Sequence, residues 1–134
     1  MRHLDHLGYY AVAADQLDFA VRNTRVLARD AVTLVRDKGA APGGLVEAIM
    51  GLALAVEALA GYLEQPDHPL DDVRRYSLEA AGEATSVLQR SNDLETSALV
   101  AQIRSTSIDL LQASGMDSSE ALQALREASR SGSR

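Results

Sequence analysis

The chain has no cysteine and no tryptophan, and Lys38 is the single lysine among its 13 basic residues. Without cysteine there is no disulfide, no zinc–thiolate site and no thiol nucleophile. The absence also fits a reducing compartment without fixing one. Acidic residues number 19, so the net charge is −6, and the pI near 4.9 lacks the basic footprint of a nucleic-acid binder. Aromatics make up only 4% (Phe19, Tyr9, Tyr10, Tyr62 and Tyr76), so little favours a sheet. Long uncharged runs are missing too. The most apolar stretch, residues 45–63, is interrupted by Glu47 and Glu57. Its longest uncharged run, 48–56, falls short of the roughly 20 residues a membrane-spanning helix needs. Met1-Arg2-His3-Leu4-Asp5 meets an acid before an apolar core can form, so no secretory signal is expected.

What is present is helical periodicity. Leu17, Val21, Thr24, Ala28, Ala31 and Val35 recur at alternating steps of four and three, and Leu7, Tyr10 and Ala14 continue them backwards. That spacing puts them on one helical face and predicts that they are buried against other helices. Alanine and leucine, both strong helix formers, dominate throughout. The expectation is an all-α, antiparallel up-down-up-down four-helix bundle with a short fifth C-terminal helix, in a single domain over residues 1–134.

Helix boundaries follow from breakers and caps. The first helix is expected over 1–38, with an irregularity at Gly8, and ends at Gly39 and Pro42-Gly43-Gly44. The second covers 45–65. Gly51, Ala55, Ala58 and Gly61 make it slim enough for close approach by its neighbours. The third covers 69–90, with Pro69 in its first turn and Val73, Ser77, Ala80, Ala84 and Val87 on its buried face. Ser91-Asn92-Asp93 caps a fourth helix over 93–114, buried through Leu99, Ile103, Thr106, Leu110 and Ala113. Asp117-Ser118-Ser119-Glu120 has capping-box spacing and opens a fifth over 118–129, followed by a polar tail. The loops are short, so successive helices are antiparallel neighbours. In that order the fifth helix meets the overhanging start of the first, through Leu122 and Leu125 on Leu4, Leu7 or Tyr10.

Chemistry is sparse. His3, Asp5 and His6 have partial metal-ligand spacing but no third ligand of evident placement, and solvated polar residues are the better reading. Glu64 and His68 are separated by Pro66, and no Glu-x-x-His pair supports a di-iron site. The expectation is no metal, no cofactor and no catalytic residue. Arg22, Arg25, Arg29 and Arg36 form a basic stripe interleaved with Asp15, Asp18, Asp30 and Asp37. That pattern reads as a solvated, salt-bridged face or, more sharply, as a patch for an anion or lipid head group. Thr24, Ser77, Thr106 and Ser107 on buried stripes are expected to bond back to i−4 carbonyls. Ala13, Ala20, Leu27 and Leu34 form a second apolar stripe on the first helix, and Val12, Phe19 and Val26 a third. The third exceeds what one monomer covers, so these three residues are a candidate interface.

Two blocks carry a resemblance. One is Leu17-Asp18-Phe19-Ala20-Val21-Arg22-Asn23-Thr24-Arg25-Val26-Leu27-Ala28-Arg29. The other is Val100-Ala101-Gln102-Ile103-Arg104-Ser105-Thr106-Ser107-Ile108-Asp109-Leu110-Leu111, followed by Gly115-Met116-Asp117 and Glu120-Ala121-Leu122. Both resemble the C-terminal soluble region of actinobacterial FUSC-type proteins, the fusaric-acid-resistance or aromatic acid exporter family. The resemblance implies a non-enzymatic cytoplasmic domain of a membrane exporter that assists assembly or gating. Its partner would be the membrane-embedded part of the same protein, and a homo-oligomer is the other expected partner. The alternative is a free-standing cytosolic bundle that binds a partner helix or a small apolar anion.

Overall fold

Each helix ends where its local chemistry dictates. In the computed structural model, which describes residues 2–67 and 69–132 and the side chains of 8–67 and 69–131, the chain forms α1 (Arg2–Lys38), α2 (Leu45–Glu64), α3 (Asp71–Val87), α4 (Leu94–Ala113) and α5 (Ser118–Gly132). Gly39, at φ 85°, stops α1 and donates its N–H to the Val35 carbonyl at 2.7 Å. Asp93 caps α4, its carboxylate accepting from the Thr96 N–H at 3.2 Å and the Thr96 hydroxyl at 3.0 Å. Gly115, at φ 104°, ends α4 in a Schellman turn: its N–H reaches the Gln112 carbonyl at 3.0 Å, and that of Met116 reaches Leu111 at 3.2 Å. Asp117 and Glu120 close the expected capping box on α5, each accepting the other's backbone N–H, at 2.8 and 3.2 Å.

The four long helices run up-down-up-down. α1 packs on α2 and α4, and α3 packs on the same two helices. α2 also touches α4 across the bundle, whereas no contact joins α1 to α3 among the described residues. The cross-section is therefore a rhombus with α2 and α4 at its obtuse corners. Leu27, Leu52, Leu59, Val73, Val87, Ile103 and Leu110 fill the centre. The predicted faces of α3 and α4 are buried residue for residue. α3 begins after Leu70, two residues later than expected, and 88–90 form a turn instead of its last residues.

Several expectations need correction. α1 runs unbroken through Gly8. Its buried seam is the second stripe, Ala13, Ala20, Leu27 and Leu34, joined by Ala31 of the first, while Ala28 and Val35 of the first stripe are exposed. Both stripes have heptad spacing, and periodicity alone does not choose between them. Packing chose the one whose first members are alanines, which bring α1 close to α2 and α4. Among the described residues α5 makes no contact with α1. It packs on α3 and α4, burying Ala121 and Leu125 and leaving Leu122 42% exposed. A Cβ on Gly82 of α3 would lie 3.2 Å from the Ala128 carbonyl oxygen, so this glycine is the notch that seats α5. Leu4 and Leu7 have side chains outside the described residues. The segment read as a polar tail continues α5 to Gly132, and Ser129 within it meets Thr85 and Arg104.

α2 also departs from its reading. By length and composition it is apolar enough to cross a membrane, although 33% of that window is buried within the bundle. Contact with three other helices explains part of the apolarity: Leu45, Ala48, Ile49, Leu52, Ala55 and Leu59 are buried. Gly51 allows α3 to approach, with Ala80 Cβ 3.3 Å from where a Gly51 Cβ would stand, whereas Gly61 faces open space.

Candidate interaction surface

Helical geometry places Arg22, Arg25, Arg29 and Arg36 within roughly 60° of arc on the side of α1 opposite its buried seam. Arg22, Arg25, Arg29 and Arg36 are all exposed. The salt-bridged reading of this stripe is not what the structure shows. Among the described residues the ion pairs within 4 Å are Lys38–Asp93 and Arg75–Asp72, at 3.0 Å for the second, and none involves this stripe. The Arg22 guanidinium instead lies 5.5 Å from the Phe19 ring centroid. Val12 and Phe19 are 58% and 52% exposed, and Val26 is half-buried. These three sit on the flank of α1 that turns toward α4, where Asp30 and Leu34 meet Leu99 and Gln102.

The other flank of α1 carries more apolar surface. Val32 and Val35 join Val46, Ile49 and Met50 of α2 around an open groove of about 520 Å³, with Arg36 at its edge. Val46, Met50 and Leu54 repeat every four residues along the outside of α2 and are 46%, 61% and 44% exposed. Beyond this ridge lies a second groove, of about 670 Å³, between α2 and α5 with α3 as its floor. Met50 and Leu54 border it on one side, and Glu47, Glu79 and Glu83 place three carboxylates in it. One face therefore carries, in order, exposed arginines, an apolar ridge and exposed carboxylates. The sequence reading missed the ridge. Its signal was the i, i+4, i+8 spacing of Val46, Met50 and Leu54 on a helix already apolar on its inner side.

The remaining polar groups hold the fold together. Arg74 donates through Nε to the Ser114 hydroxyl at 2.9 Å and through Nη2 to the Ser114 carbonyl at 2.8 Å, tying the start of α3 to the end of α4. Tyr9 donates to the Ala113 carbonyl at 2.7 Å and, with Tyr10 and Tyr62, forms an aromatic cluster at this end. Burial, reinforced by Tyr62, pushes the Tyr9 phenol above its ordinary pKa, with Arg74 pulling the other way. Arg104 links Thr85 and Ser129 where α3, α4 and α5 meet. At the opposite end Lys38 pairs with Asp93, which holds that carboxylate below its usual range. Burial raises Asp109.

Thr106 and Ser107 bond to the Gln102 and Ile103 carbonyls at 2.9 and 3.0 Å, as their positions predict. Thr24 and Ser77 do not: their buried hydroxyls have no partner. Among the described residues no group of three His, Cys, Asp or Glu side chains could hold a metal ion. His3, Asp5 and His6 have side chains outside the described residues, as does His68. No protein-family model matches the chain, and no curated protein or solved structure does either.

Proposed function

We propose that this chain is a non-enzymatic association domain, a helical bundle whose task is to hold another protein surface. The carrying observation is the ridge of Val46, Met50 and Leu54 with Val32 and Val35 beside it, all exposed and continuous across two helices. A monomer gains nothing from leaving that much contiguous apolar area in water, and such patches mark interaction sites. The hydrogen-bonded polar clusters sit at helix ends and helix junctions, where they serve packing and capping. The resemblance of the two blocks to FUSC-type exporters suggests a setting on the cytoplasmic side of a membrane. In that setting the surface held belongs to the membrane-embedded part of the same protein.

Site-specific photo-cross-linking in the producing cell tests the reading. A photoreactive residue at Met50 should give a discrete protein adduct, and one at Asp117, by the α4–α5 turn, should not. Absence of an adduct at Met50 overturns the association reading. The reading frame upstream of Met1 tests the setting: spanning segments there support the exporter, and an independent start codon at Met1 overturns it in favour of a free-standing bundle.

A further inference from the structure

The face that carries the ridge is self-complementary in charge. Met50 borders both grooves, with Val32 and Arg36 on its α1 side and Glu79 and Glu83 on its α3 side. α1 and α3 both run antiparallel to α2, and each residue advances about 1.5 Å. Arg29 is three residues before Val32, so it lies toward Leu54. Glu79 lies at the same height, because its neighbour Ala80 touches Gly51. Arg36 and Glu83 are likewise level with each other, near the start of α2. The rhombic cross-section makes the face broad, since α2 sits at an obtuse corner with α1 and α3 swung to either side. Among the described residues none of Arg25, Arg29, Arg36, Glu47, Glu79 or Glu83 is in an ion pair within its own chain.

We infer that a second copy of this chain docks on the α1–α2–α3 face, about a two-fold axis parallel to α2, setting Arg29 and Arg36 of each copy against Glu79 and Glu83 of the other. This inference rests on the association reading and names the partner. An isologous pair must place some element of the face over its symmetry mate. A two-fold axis across α2 would set α1 over α1, arginine on arginine, and α3 over α3, glutamate on glutamate. An axis along α2 preserves heights and exchanges sides. The basic outer face of α1 then enters the acidic groove between the other copy's α2 and α5, while the two Met50–Leu54 ridges meet at the centre. Apolar contact supplies affinity there, and the flanking charges choose the orientation.

Sedimentation equilibrium with charge swaps tests it. The wild type is expected to dimerise. Arg29→Glu and Glu79→Arg should each weaken the dimer by about tenfold or more, and the double variant should recover it. Both positions are exposed, so helicity by circular dichroism should not change. Met50→Arg should abolish the dimer, and Phe19→Glu, on the other flank of α1, should leave it intact. A wild type that is monomeric at every concentration, a double variant no better than the singles, or a dimer dissolved by Phe19→Glu overturns the inference. If that monomer still cross-links a different polypeptide through Met50 in cells, the association reading stands and only the identity of the partner has failed.

Discussion

Substituting Gly82 by alanine should unseat α5 while sparing the four-helix core. Two opposing effects set the magnitude. Alanine in a helix interior is favoured over glycine by about 1 kcal/mol. Against that, the new methyl meets the Ala128 carbonyl oxygen at 3.2 Å and its carbon at 3.8 Å. Both are backbone atoms, so α5 must move as a body, and overpacking of this kind costs about 1–3 kcal/mol. The net effect is a loss of about 0–2 kcal/mol. Gly61 is the control, since nothing lies within 4 Å of its added Cβ. Gly61→Ala should stabilise by about 1 kcal/mol, so the two variants should differ by about 1–3 kcal/mol, with helix propensity cancelled. Urea melts measure that difference, and amide exchange locates it. α5 is held by two buried apolar side chains, Ala121 and Leu125, and by the Ser129 hydroxyl on Thr85 and Arg104, and Leu125 contributes about 1.5–3 kcal/mol of burial. Its amides should therefore lose protection in Gly82→Ala while those of α2 and α4 keep theirs. Equal stabilisation by the two substitutions would show that α5 does not sit in the Gly82 notch.

Ser77→Ala should raise stability by about 1 kcal/mol in thermal melts, because it removes a fully buried hydroxyl that has no partner. Tyr9→Phe should cost about 1 kcal/mol by removing the bond to the Ala113 carbonyl. The folded pKa of Tyr9 is raised, so its contribution is intact below the ordinary tyrosine value and disappears as pH climbs through the raised one; Tyr10 is raised too, so tyrosinate absorbance should show two late-titrating phenols, of which Tyr9→Phe removes one. The pair at the other end acts on both flanks. Asp93 is held low, chiefly by its bond from Lys38, so that stability is present above the ordinary aspartate range and lost as pH falls through the lowered value. Lys38 is held high by the same bond, so its share is lost as pH rises through the raised value, and Lys38→Met should lower the neutral-pH melting temperature and flatten both flanks.

Helix existence, order and caps were legible because each rests on a local rule. Gly39, Asp93, Gly115 and the Asp117–Glu120 box act within one turn of chain, and all behave as their residue types predict. The buried faces of α3 and α4 were legible because a single apolar stripe runs along each. α1 was not, because three heptad stripes overlap on it and the choice depends on how closely α2 and α4 approach. The position of α5 was not legible either. The α4–α5 turn allows several directions, and what selects α3 is an absent side chain at Gly82, which leaves no mark in a hydrophobic pattern. Thr24 and Ser77 defied the rule that Thr106 and Ser107 obey, since i−4 back-bonding depends on a side-chain rotamer that spacing does not specify.

The surface was least legible for a reason that follows from the core. Small residues on facing sides, Gly51 against Ala80 among them, draw α2 and α3 together, and α2 reaches α4 across the bundle. A bundle flattened this way puts α2 at an obtuse corner, where its inner side meets three helices and its outer side lies on the broad face between α1 and α3. Val46, Met50 and Leu54 then face solvent on a helix whose composition alone suggests burial on every side. Sequence hydropathy reports the sum of inner and outer faces, and only the cross-section divides it. Once it is divided, the charges acquire meaning. Arg29 and Arg36 lie on one side of the exposed ridge and Glu79 and Glu83 on the other, 43 to 54 positions apart along the chain. No pattern within one helix connects them. Their relation exists only across the α1–α2–α3 face, which is why the apolar ridge and its two charged edges have to be read together.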